Sequence, residues 1–305
     1  MIEFKKIELA DKEWVENFLQ QSDYMGCEYS FNNNFVWSEQ SKIEIANVCG
    51  RYLLKIGAYD QPLFLFPTGD GDLKACVQEM ISYCADQNHG LKIISVLDDD
   101  VAKLEELFPD KFKFISDRGS YDYIYLTEDL INLTGKKYSG KRNHINRFLE
   151  NDWSFEDITK DNIGDCLAMI EKWDAINNSA DDASKMKESQ AVRRTIKYFF
   201  ELEMDGGILR VDGEIVAFSI GKRLNSETYG VHIEKAYADV QGAYPMINQQ
   251  FLKRFATEYK YVNREDDVNS EGLRKAKLSY KPTFLLEKSM AVSLKPDTNC
   301  GQNLN

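Results

Sequence analysis

The stretch YVNREDDVNSEGLRKAKLSYKP, from Tyr261 to Pro282, carries a denser pattern of polar side chains than any other part of the chain. Its first residues are typical of the end of a β-strand, in which successive side chains alternate between two faces. This alternation predicts Asn263, Glu265 and Asp267 on one face, with Arg264 on the other. Three polar groups would therefore converge at one strand end.

A helix is predicted to follow this strand. Ser270 is a suitable N-cap residue, and Glu271 would lie in the first turn, where the helix dipole favours an anion. The helix should end before Pro282, because the residue before a proline disfavours the helical conformation. Helical spacing groups its side chains into an apolar stripe, which should be buried, and a cationic stripe. The apolar stripe consists of Leu273, Ala276 and Tyr280, and the cationic stripe of Arg274, Lys277 and Lys281.

Two interpretations of this strand and helix are open. They could form a surface with ordinary salt bridges, which is the usual role of scattered charges. Alternatively, the three strand-end groups hold an amine, while Arg274 and Lys277 hold a phosphate or a carboxylate. Gly272 favours the second interpretation, because glycine in a helix costs about 1 kcal/mol relative to alanine. Close approach of another backbone or of a ligand would explain that glycine.

The same residues resemble a known family signature. The pattern Asn263-x-Glu265-x-Asp267, followed by Gly272-Leu273-Arg274, Lys277 and Pro282, resembles that of the phosphatidylglycerol lysyltransferase C-terminal domain family, much of which is classed as a domain of unknown function. Matching pieces upstream are Tyr29-Ser30-Phe31 with Asn33 and Trp37, Lys141-Arg142-Asn143-His144 with Phe148, Glu234-Lys235-Ala236, and Gly242-Ala243-Tyr244 with Ile247-Asn248. Asn269 departs from the family, which usually has glycine there, although asparagine also tolerates the left-handed conformation.

The resemblance implies both a fold and an activity. The fold would be α/β (α+β), with two tandem GNAT-like (acyl-CoA N-acyltransferase-like) domains whose mixed sheets are flanked by helices. The activity would be that of a Fem-type aminoacyl or acyl transferase, which moves an activated amino acid from aminoacyl-tRNA to an amine or hydroxyl acceptor. The implied catalytic carboxylates are Glu234, Glu265 and Asp267. The implied substrate-binding residues are Lys141, Arg142, Asn143, Tyr244, Asn248, Asn263, Gly272, Arg274 and Lys277.

The predicted roles follow from the chemistry of acyl transfer. Glu234 and Glu265 should end adjacent strands, where paired carboxylates act as a base or anchor an ammonium group. Anchoring is the preferred hypothesis, because transfer from an activated ester needs mainly positioning and stabilisation of the oxyanion. Backbone N–H groups at the helix start near Tyr244 would supply that stabilisation. Covalent catalysis is disfavoured, because Ser219, Ser279 and Cys166 have no histidine and aspartate nearby in sequence.

The order of predicted elements indicates two similar halves. Over 43–116, strands, a helix, a strand, a helix and a strand follow one another. The second half repeats this order, and Asp212-Gly213 is a strong hairpin signal within it. We expect an N-terminal domain at 1–130, a C-terminal domain carrying the site at 131–295, and a tail at 296–305.

A basic segment separates the halves. Residues 135–147, GKKYSGKRNHINR, include five lysines and arginines and no acid in a chain with a net charge of −12. This contrast predicts either an anion site or a solvated connector. Lys141 and Arg142 suit the end of a tRNA or an acceptor phosphate. His144 is the histidine with obvious polar company, and a structural role is favoured for it over a catalytic one.

An acyl-CoA site is the alternative at the helix start that follows Gly242. Gly242 allows the loop to bend and Pro245 suits the first helical turn, so free N–H groups should face this point. GNAT enzymes bind the pyrophosphate of coenzyme A there, with more glycines than this chain has, and Asp239 adds negative charge. We therefore expect no cofactor. The alternatives are an acyl-CoA-dependent N-acyltransferase and a non-catalytic protein that binds an amino acid or peptide.

Composition excludes several classes of protein. Apolar residues make up 43% of the chain, yet no run approaches the roughly 18 that a membrane helix needs. The N-terminus lacks the apolar core of a signal peptide, which predicts a cytoplasmic protein without an integral membrane segment. The net charge of −12 disfavours DNA and anionic lipid as partners. Six cysteines without a C-x-x-C pair, with three histidines, predict no metal site.

Overall fold

The computed structural model describes residues 2–177 and 183–294, so the predicted tail at 296–305 lies outside the described part. The chain forms two compact units, each assembled from segments that are distant in sequence. Within the described residues, unit 1 comprises 2–22, 41–120 and 287–294, and unit 2 comprises 23–40, 121–177 and 183–286. No helix in this part of the chain combines the length and the apolar character needed to span a lipid bilayer.

The secondary structure alternates strands and helices. The strands are β1 (Lys5–Lys6), β2 (Ile43–Val48), β3 (Arg51–Ile56), β4 (Leu63–Leu65), β5 (Lys92–Val96), β6 (Phe112–Ser116), β7 (Asp122–Leu126), β8 (Trp153–Asp157), β9 (Asp205–Val211), β10 (Glu214–Arg223), β11 (Thr228–Ala236), β12 (Tyr261–Asn263), β13 (Phe284–Leu286) and β14 (Ser289–Ser293). The helices are α1 (Lys12–Ser22), α2 (Phe31–Val36), α3 (Ser38–Ser41), α4 (Leu73–Asp86), α5 (Asp98–Leu107), α6 (Thr127–Asn132), α7 (Ser139–Phe148), α8 (Ile163–Asn177), α9 (Ala183–Lys197), α10 (Ala243–Phe255) and α11 (Glu271–Leu278).

Unit 1 is built on a seven-stranded mixed sheet in the order β1-β2-β3-β4-β5-β14-β6. Its neighbouring strands are antiparallel except β4 and β5, which run parallel. Helix α4 connects the parallel strands, and the side chain of Asp72 caps it by accepting from Ala75 N at 2.9 Å. Cys76, Met80 and Cys84 recur at four-residue spacing along α4 and are buried. This amphipathic spacing explains why α4 covers the core of unit 1.

Unit 2 is built on a second seven-stranded mixed sheet, in the order β13-β7-β12-β11-β10-β9-β8. Here β11 and β12 are the parallel pair, and α10 connects them. The hairpin of β9 and β10 turns at Asp212 and Gly213, whose φ angles of 52° and 82° suit the turn that joins two twisted strands. The predicted hairpin is confirmed.

The two sheets share one pairing pattern. When the first is read from β1 and the second from β8, the parallel pair lies at the fourth and fifth strands of both. The sixth strand of each, β14 or β7, is antiparallel to both of its neighbours. This repetition confirms the predicted α/β class with two mixed sheets flanked by helices.

The compact units differ from the predicted domains 1–130 and 131–295. Strand β7 precedes residue 130 but belongs to the sheet of unit 2, and β14 follows the last segment of unit 2 but belongs to the sheet of unit 1. Residues 23–40, which include α2, also belong to unit 2. Strand pairing joins residues that are far apart in sequence, so a contiguous division by composition does not reveal it.

Helix α10 anchors the core of unit 2. It buries Ala243, Met246, Ile247, Phe251 and Leu252. At its N-cap, Gly242 has a φ of 86°, and a Cβ atom there would lie 2.2 Å from the carbonyl oxygen of His144. Only glycine allows this approach, so helix α7 packs directly against the start of α10.

The predicted alternation of side chains after Tyr261 is wrong beyond Asn263. Strand β12 ends at Asn263, and Glu265 has a φ of 58°. A left-handed residue interrupts the extended backbone on which the period of two depends. Asn263, Glu265 and Asp267 therefore do not share one face of a strand, and each meets different partners.

Helix α11 also differs from its predicted orientation. Ser270 caps it as predicted, since its side chain accepts from Leu273 N. Leu273, which we expected to be buried, is 45% exposed. Arg274 and Lys277 are half-buried and donate to oxygen atoms of the protein. These two members of the cationic stripe face the protein because their donors find acceptors there, whereas Lys281 is exposed.

Candidate functional site

The sheet of unit 2 opens after the first residues of β11. These residues pair with β12, which ends at Asn263, and β11 then continues to Ala236. The chain after β12 stays with β7, since Arg264 N donates to Tyr123 O and Tyr123 N donates to Glu265 O, both at 3.1 Å. Across this opening, His232 and Glu234 of β11 contact Glu265 and Arg264, which follow β12.

A bulge in β11 lies at the same place. In the register with β10, Val231 opposes Gly221 and Ile233 opposes Ile220, so His232 has no opposing residue. Bulges re-aim side chains and are frequent beside functional sites. The bulge therefore places His232 at the opening of the sheet.

Glu234 forms a buried ion pair with Arg264. Arg264 Nη2 donates to Glu234 Oε1 at 2.7 Å, and each side chain is only 12% exposed. Asn248 of α10 donates from Nδ2 to Glu234 Oε2 at 2.8 Å. Its own Oδ1 is buried and has no hydrogen-bond partner among the described residues. This network therefore ends at an unused acceptor oxygen.

Lys141 of α7 lies beside this ion pair. Its Nζ is 3.7 Å from the centroid of the Tyr280 ring, and the guanidinium carbon of Arg264 is 4.6 Å from the same centroid. Burial, together with the charge of Arg264, lowers the pKa of Lys141 to about 8. Burial raises the pKa of Tyr280. Tyr280 therefore presents a neutral aromatic ring to two cations, and Lys141 releases its proton more readily than an ordinary lysine.

Glu265 is the centre of a second network. His232 Nδ1 and Glu265 Oε1 are 2.9 Å apart, and Asn33 Nδ2 donates to the same oxygen at 3.2 Å. Glu265 N donates to Asn263 Oδ1 at 2.6 Å. The side chain of His232 is 5% exposed, and its Nε2 has no hydrogen-bond partner among the described residues. A carboxylate thus orients a buried imidazole that keeps one nitrogen unused.

Asn263, at the end of β12, connects this second network to Asp122. Asn263 Nδ2 donates to Asp122 Oδ2 and to Met25 O, both at 2.8 Å, and Cys27 N donates to Asp122 Oδ2 at 3.0 Å. The ligand atoms of Cys27, Glu28 and Asp122 lie within 4.8 Å of one another, close enough for a metal ion. Asp122 and Cys27 are already hydrogen-bonded within the protein, so we do not assign a metal site to this group.

Asp267 forms a third network with α11. Arg274 donates to both of its carboxylate oxygens, from Nε at 2.8 Å and from Nη2 at 2.9 Å, and the Tyr123 hydroxyl donates at 2.6 Å. The hydrogen bonds from Arg274 hold the pKa of Asp267 well below its usual range. Such a bidentate pair is both strong and geometrically specific. Because Asp267 binds both Arg274 of α11 and Tyr123 of β7, it links these two elements.

Lys277 supports the backbone between the first two networks. Its Nζ donates to the carbonyl oxygens of Arg264, at 2.6 Å, and of Asp266. Burial lowers the pKa of Lys277, and the charge of Glu265 opposes that change. Lys277 therefore holds the segment that presents Arg264 and Glu265.

Arg142 and Asn143 do not join these networks. Arg142 Nη1 donates to the carbonyl oxygens of Leu133 and, at 2.7 Å, of Gly135. It thereby satisfies carbonyl groups where α6 ends. Asn143 is exposed on α7. Of the two basic residues predicted to hold an anion, Lys141 lies beside the Glu234 network and Arg142 serves a helix end.

Tyr244 and Gly272 lie at helix starts. Tyr244 is 37% exposed, and burial of its hydroxyl, with Glu234 nearby, raises its pKa. A Cβ atom at Gly272 would meet only Ser270 Oγ, at 4.0 Å. The backbone approach that we offered to explain Gly272 is therefore not found among the described residues.

His232, Arg264 and Asn33 belong to the site, although they were not among the predicted site residues. The prediction that His144 is the histidine in polar company is wrong, because His144 is exposed and His232 contacts a carboxylate. His232 could have been found from its position two residues before Glu234 on one strand. Asn33 belongs to one of the family motifs, but nothing local in the sequence pairs it with Glu265, because this contact spans 232 residues.

Known proteins share this fold. A crystal structure of a conserved protein of unknown function from Bacteroides thetaiotaomicron is 41% identical and has a TM-score of 0.92, over 96% of this chain and 100% of that chain. The structure of L-PGS from Bacillus licheniformis is 16% identical with a TM-score of 0.66, over 92% of this chain and 91% of that chain. At 16% identity, the similarity to the Bacillus licheniformis protein shows only that the two chains share a fold.

Family membership rests on the sequence. An uncharacterised protein of Mycoplasmoides gallisepticum is 28% identical over 176 residues, which are 55% of this chain, and the chain spans only 55% of that protein. The profile of the family described as phosphatidylglycerol lysyltransferase, C-terminal, matches residues 19–292. The chain therefore belongs to the phosphatidylglycerol lysyltransferase C-terminal domain family, as its motifs predict.

Proposed function

We propose that this chain transfers an activated amino acid, supplied as aminoacyl-tRNA, to an amine or hydroxyl acceptor. Family membership supports the reaction class, because the family is described as a lysyltransferase domain. The opening between β11 and β12 supports the location, because the networks of Glu234 and Glu265 both cross it within one unit of the chain.

The unused acceptor beside Glu234 is the observation that carries this proposal. An ammonium group has three N–H donors, and it needs oxygen acceptors wherever water is excluded. Asn248 Oδ1 is buried and unpaired among the described residues, and Glu234 beside it supplies a negative charge. We assign the α-ammonium group of the aminoacyl substrate to Asn248 and Glu234. Its ester carbonyl would then lie in the opening, accessible to the acceptor.

The cations around this carboxylate have complementary roles in the proposal. Arg264 holds the carboxylate of Glu234 in place through their ion pair. Lys141, which lies over the same Tyr280 ring as Arg264, would offer a donor to the departing tRNA end. Arg142 has no part in this scheme, because it is bound to the end of α6.

Replacing Glu234 by glutamine tests the proposal. The change removes the negative charge and keeps the shape, so we expect transfer from aminoacyl-tRNA to fall roughly 10- to 100-fold, the worth of one hydrogen bond to a charged group. The measurement is transfer of labelled amino acid from a set of charged tRNAs to small amine and hydroxyl acceptors. Asn248→Ala is the second variant, since it removes the unused oxygen and leaves the Glu234 ion pair intact.

Glu156→Gln is the matched control. It makes the same chemical change at a more exposed carboxylate in the same unit, Glu156, whose side chain is 42% exposed and whose Oε1 lies 2.8 Å from Arg210 Nε. This change should leave transfer unchanged. Equal transfer by the wild type and both site variants would refute the proposal. A rise in melting temperature with acyl-CoA but not with aminoacyl-tRNA would instead support the acyl-CoA alternative. Binding of a free amino acid without any transfer would support the non-catalytic one.

A further inference from the structure

His232 is a buried histidine with one nitrogen unaccounted for. Its side chain is 5% exposed, it is the extra residue of the β11 bulge, and Nε2 has no hydrogen-bond partner among the described residues. Leaving a buried acceptor unpaired costs about 1–3 kcal/mol. Such groups in folded proteins call for an explanation, and a reacting partner is one of the common ones.

The contact with Glu265 fixes which nitrogen carries the proton. Glu265 Oε1 lies 2.9 Å from His232 Nδ1, and an ionised carboxylate only accepts hydrogen bonds. Nδ1 is therefore the protonated nitrogen of the neutral ring, and Nε2 keeps its lone pair. Asn33 also donates to Glu265 Oε1, and Asn263 holds the Glu265 backbone N–H. The carboxylate is thus held in place on both sides.

His89 provides an internal contrast. Its Nε2 is also buried and unpaired among the described residues, but its Nδ1 lies 3.2 Å from the carbonyl oxygen of the adjacent residue, Gly90. No carboxylate contact is found for it in the described chain. The combination of an orienting carboxylate and an unused nitrogen distinguishes His232 from His89.

We infer that His232 Nε2 is the proton acceptor for the attacking amine or hydroxyl group, with Glu265 as the positioning residue. This inference rests on the proposed function and adds a residue that is two positions from Glu234 on β11. The acceptor heteroatom forms a bond to the ester carbonyl carbon while Nε2 takes its proton. When the ester C–O bond breaks, the imidazolium returns that proton to the departing oxygen of the tRNA.

The charged groups near the imidazole allow this proton transfer. Glu265 stabilises the imidazolium directly, through the contact at Nδ1. Lys277 interacts electrostatically with Glu265, and the other charged groups that act on Lys277 are Arg264, Asp266 and Asp122. Glu234 is paired with Arg264. The transient positive charge on His232 faces the carboxylate of Glu265, for which no ion pair with an arginine is found among the described residues.

The first experiment measures the tautomer of the His232 imidazole directly, so its result does not depend on transfer activity. With three histidines in the chain, ¹⁵N NMR of labelled imidazoles can be assigned through His→Asn variants. We expect the neutral His232 ring to have a proton on Nδ1 and none on Nε2, and Glu265→Gln to shift this tautomer balance. A proton on Nε2 of the neutral ring in the wild type would overturn the inference, whatever the activity.

The second experiment measures transfer under single-turnover conditions. His232→Asn places an amide nitrogen near the position of Nδ1, so it can still donate to Glu265 but lacks the accepting nitrogen. We expect the rate to fall roughly 10²- to 10⁴-fold, the usual contribution of a positioned general base. Glu265→Gln should also slow transfer and should move the pH at which the rate is half-maximal. His89→Asn is the matched control and should leave the rate unchanged.

The outcomes separate the two proposals. Transfer by the wild type with an equal rate in His232→Asn would overturn the role of His232 and leave the proposed function intact. No transfer by the wild type from any charged tRNA would overturn both. If His232→Asn does not fold, His232→Gln, which places an amide near the position of Nε2, provides the same test with the same expected loss.

Discussion

The parallel strand pairs of the two units occupy the same place in their sheets but differ in chemistry. In unit 1, Phe64 and Leu65 of β4 pair with Ile93 and Ile94 of β5. The pairing then continues, because Phe66 N donates to the carbonyl oxygen of Ile94 at 3.3 Å. Apolar side chains therefore close this junction.

In unit 2 the equivalent junction of β11 and β12 opens instead. Glu234 and Arg264 pair across it, and His232 contacts Glu265 beside them. Removing two charges from water costs several kcal/mol per ion, which their attraction repays only when the geometry is good. Unit 1 shows that this topology forms with apolar residues alone, so the fold does not need the charges of unit 2. This difference supports the proposal that the charges of unit 2 serve a ligand.

The largest expected effect comes from breaking the buried ion pair. Arg264→Met removes the cation and leaves Glu234 buried without it, which should lower the free energy of unfolding by about 3–5 kcal/mol. Urea unfolding of the wild type and the variant measures this change. Adding Glu234→Gln in the same chain should restore part of the loss, because no buried charge is then left alone.

Leu65→Ala in unit 1 is the apolar counterpart that sharpens the comparison. Leu65 is 2% exposed, and its truncation should cost about 2–5 kcal/mol through lost burial and a cavity. No second substitution that removes a charge is expected to recover the stability lost in Leu65→Ala, because the loss comes from apolar burial. The comparison breaks down if Arg264→Met leaves stability unchanged, or if Glu234→Gln makes it worse rather than better.

A smaller and pH-dependent effect is expected at Asp267. Its pKa in the folded protein is lowered by the hydrogen bonds from Arg274, below the value of about 3.9 in an unfolded chain. Asp267 therefore contributes stability above about pH 4, and this contribution is lost as the pH falls through the folded-state value. Asp267→Asn should cost about 2 kcal/mol at pH 7, as expected for hydrogen bonds to a charged group.

The same variant should lose its disadvantage in acid. Below about pH 4 the Asp267 carboxylate takes up a proton in the unfolded wild-type chain but stays ionised in the folded protein, so the difference in stability between the two proteins should shrink. Thermal unfolding at a series of pH values measures it. A difference that stays constant from pH 7 to pH 2 would contradict the role of Arg274 in lowering the pKa.

The smallest effect, and the one of opposite sign, is expected at Gly272. A Cβ atom has room there, since its nearest neighbour would be Ser270 Oγ at 4.0 Å. Gly272→Ala should therefore stabilise the protein by up to about 1 kcal/mol through helix propensity. If a ligand approaches this backbone, the variant should bind it less tightly while melting at a higher temperature. A variant of lower stability would show that Gly272 has a structural role after all.

Local patterns predicted much of the fold and the candidate site. The hairpin at Asp212-Gly213 and the helix that begins at Ser270 depend on neighbouring residues, so the sequence was sufficient for both. Glu234 and Glu265 were found through motifs. Their partners Arg264 and His232 were not, although both belong to the same short stretches, because charge alone does not show which side chains pair.

The sequence alone was sufficient for local features, such as the β9–β10 hairpin, the cap of α11 and the positions of the carboxylates, since turn residues, caps and motifs act over a few residues. The tertiary structure decided where β7 and β14 belong, how the two carboxylate networks separate, and that Asn33 joins one of them. The left-handed backbone at Glu265 sends adjacent side chains to different partners. That choice depends on contacts made by residues far apart in the chain, and no local pattern encodes them.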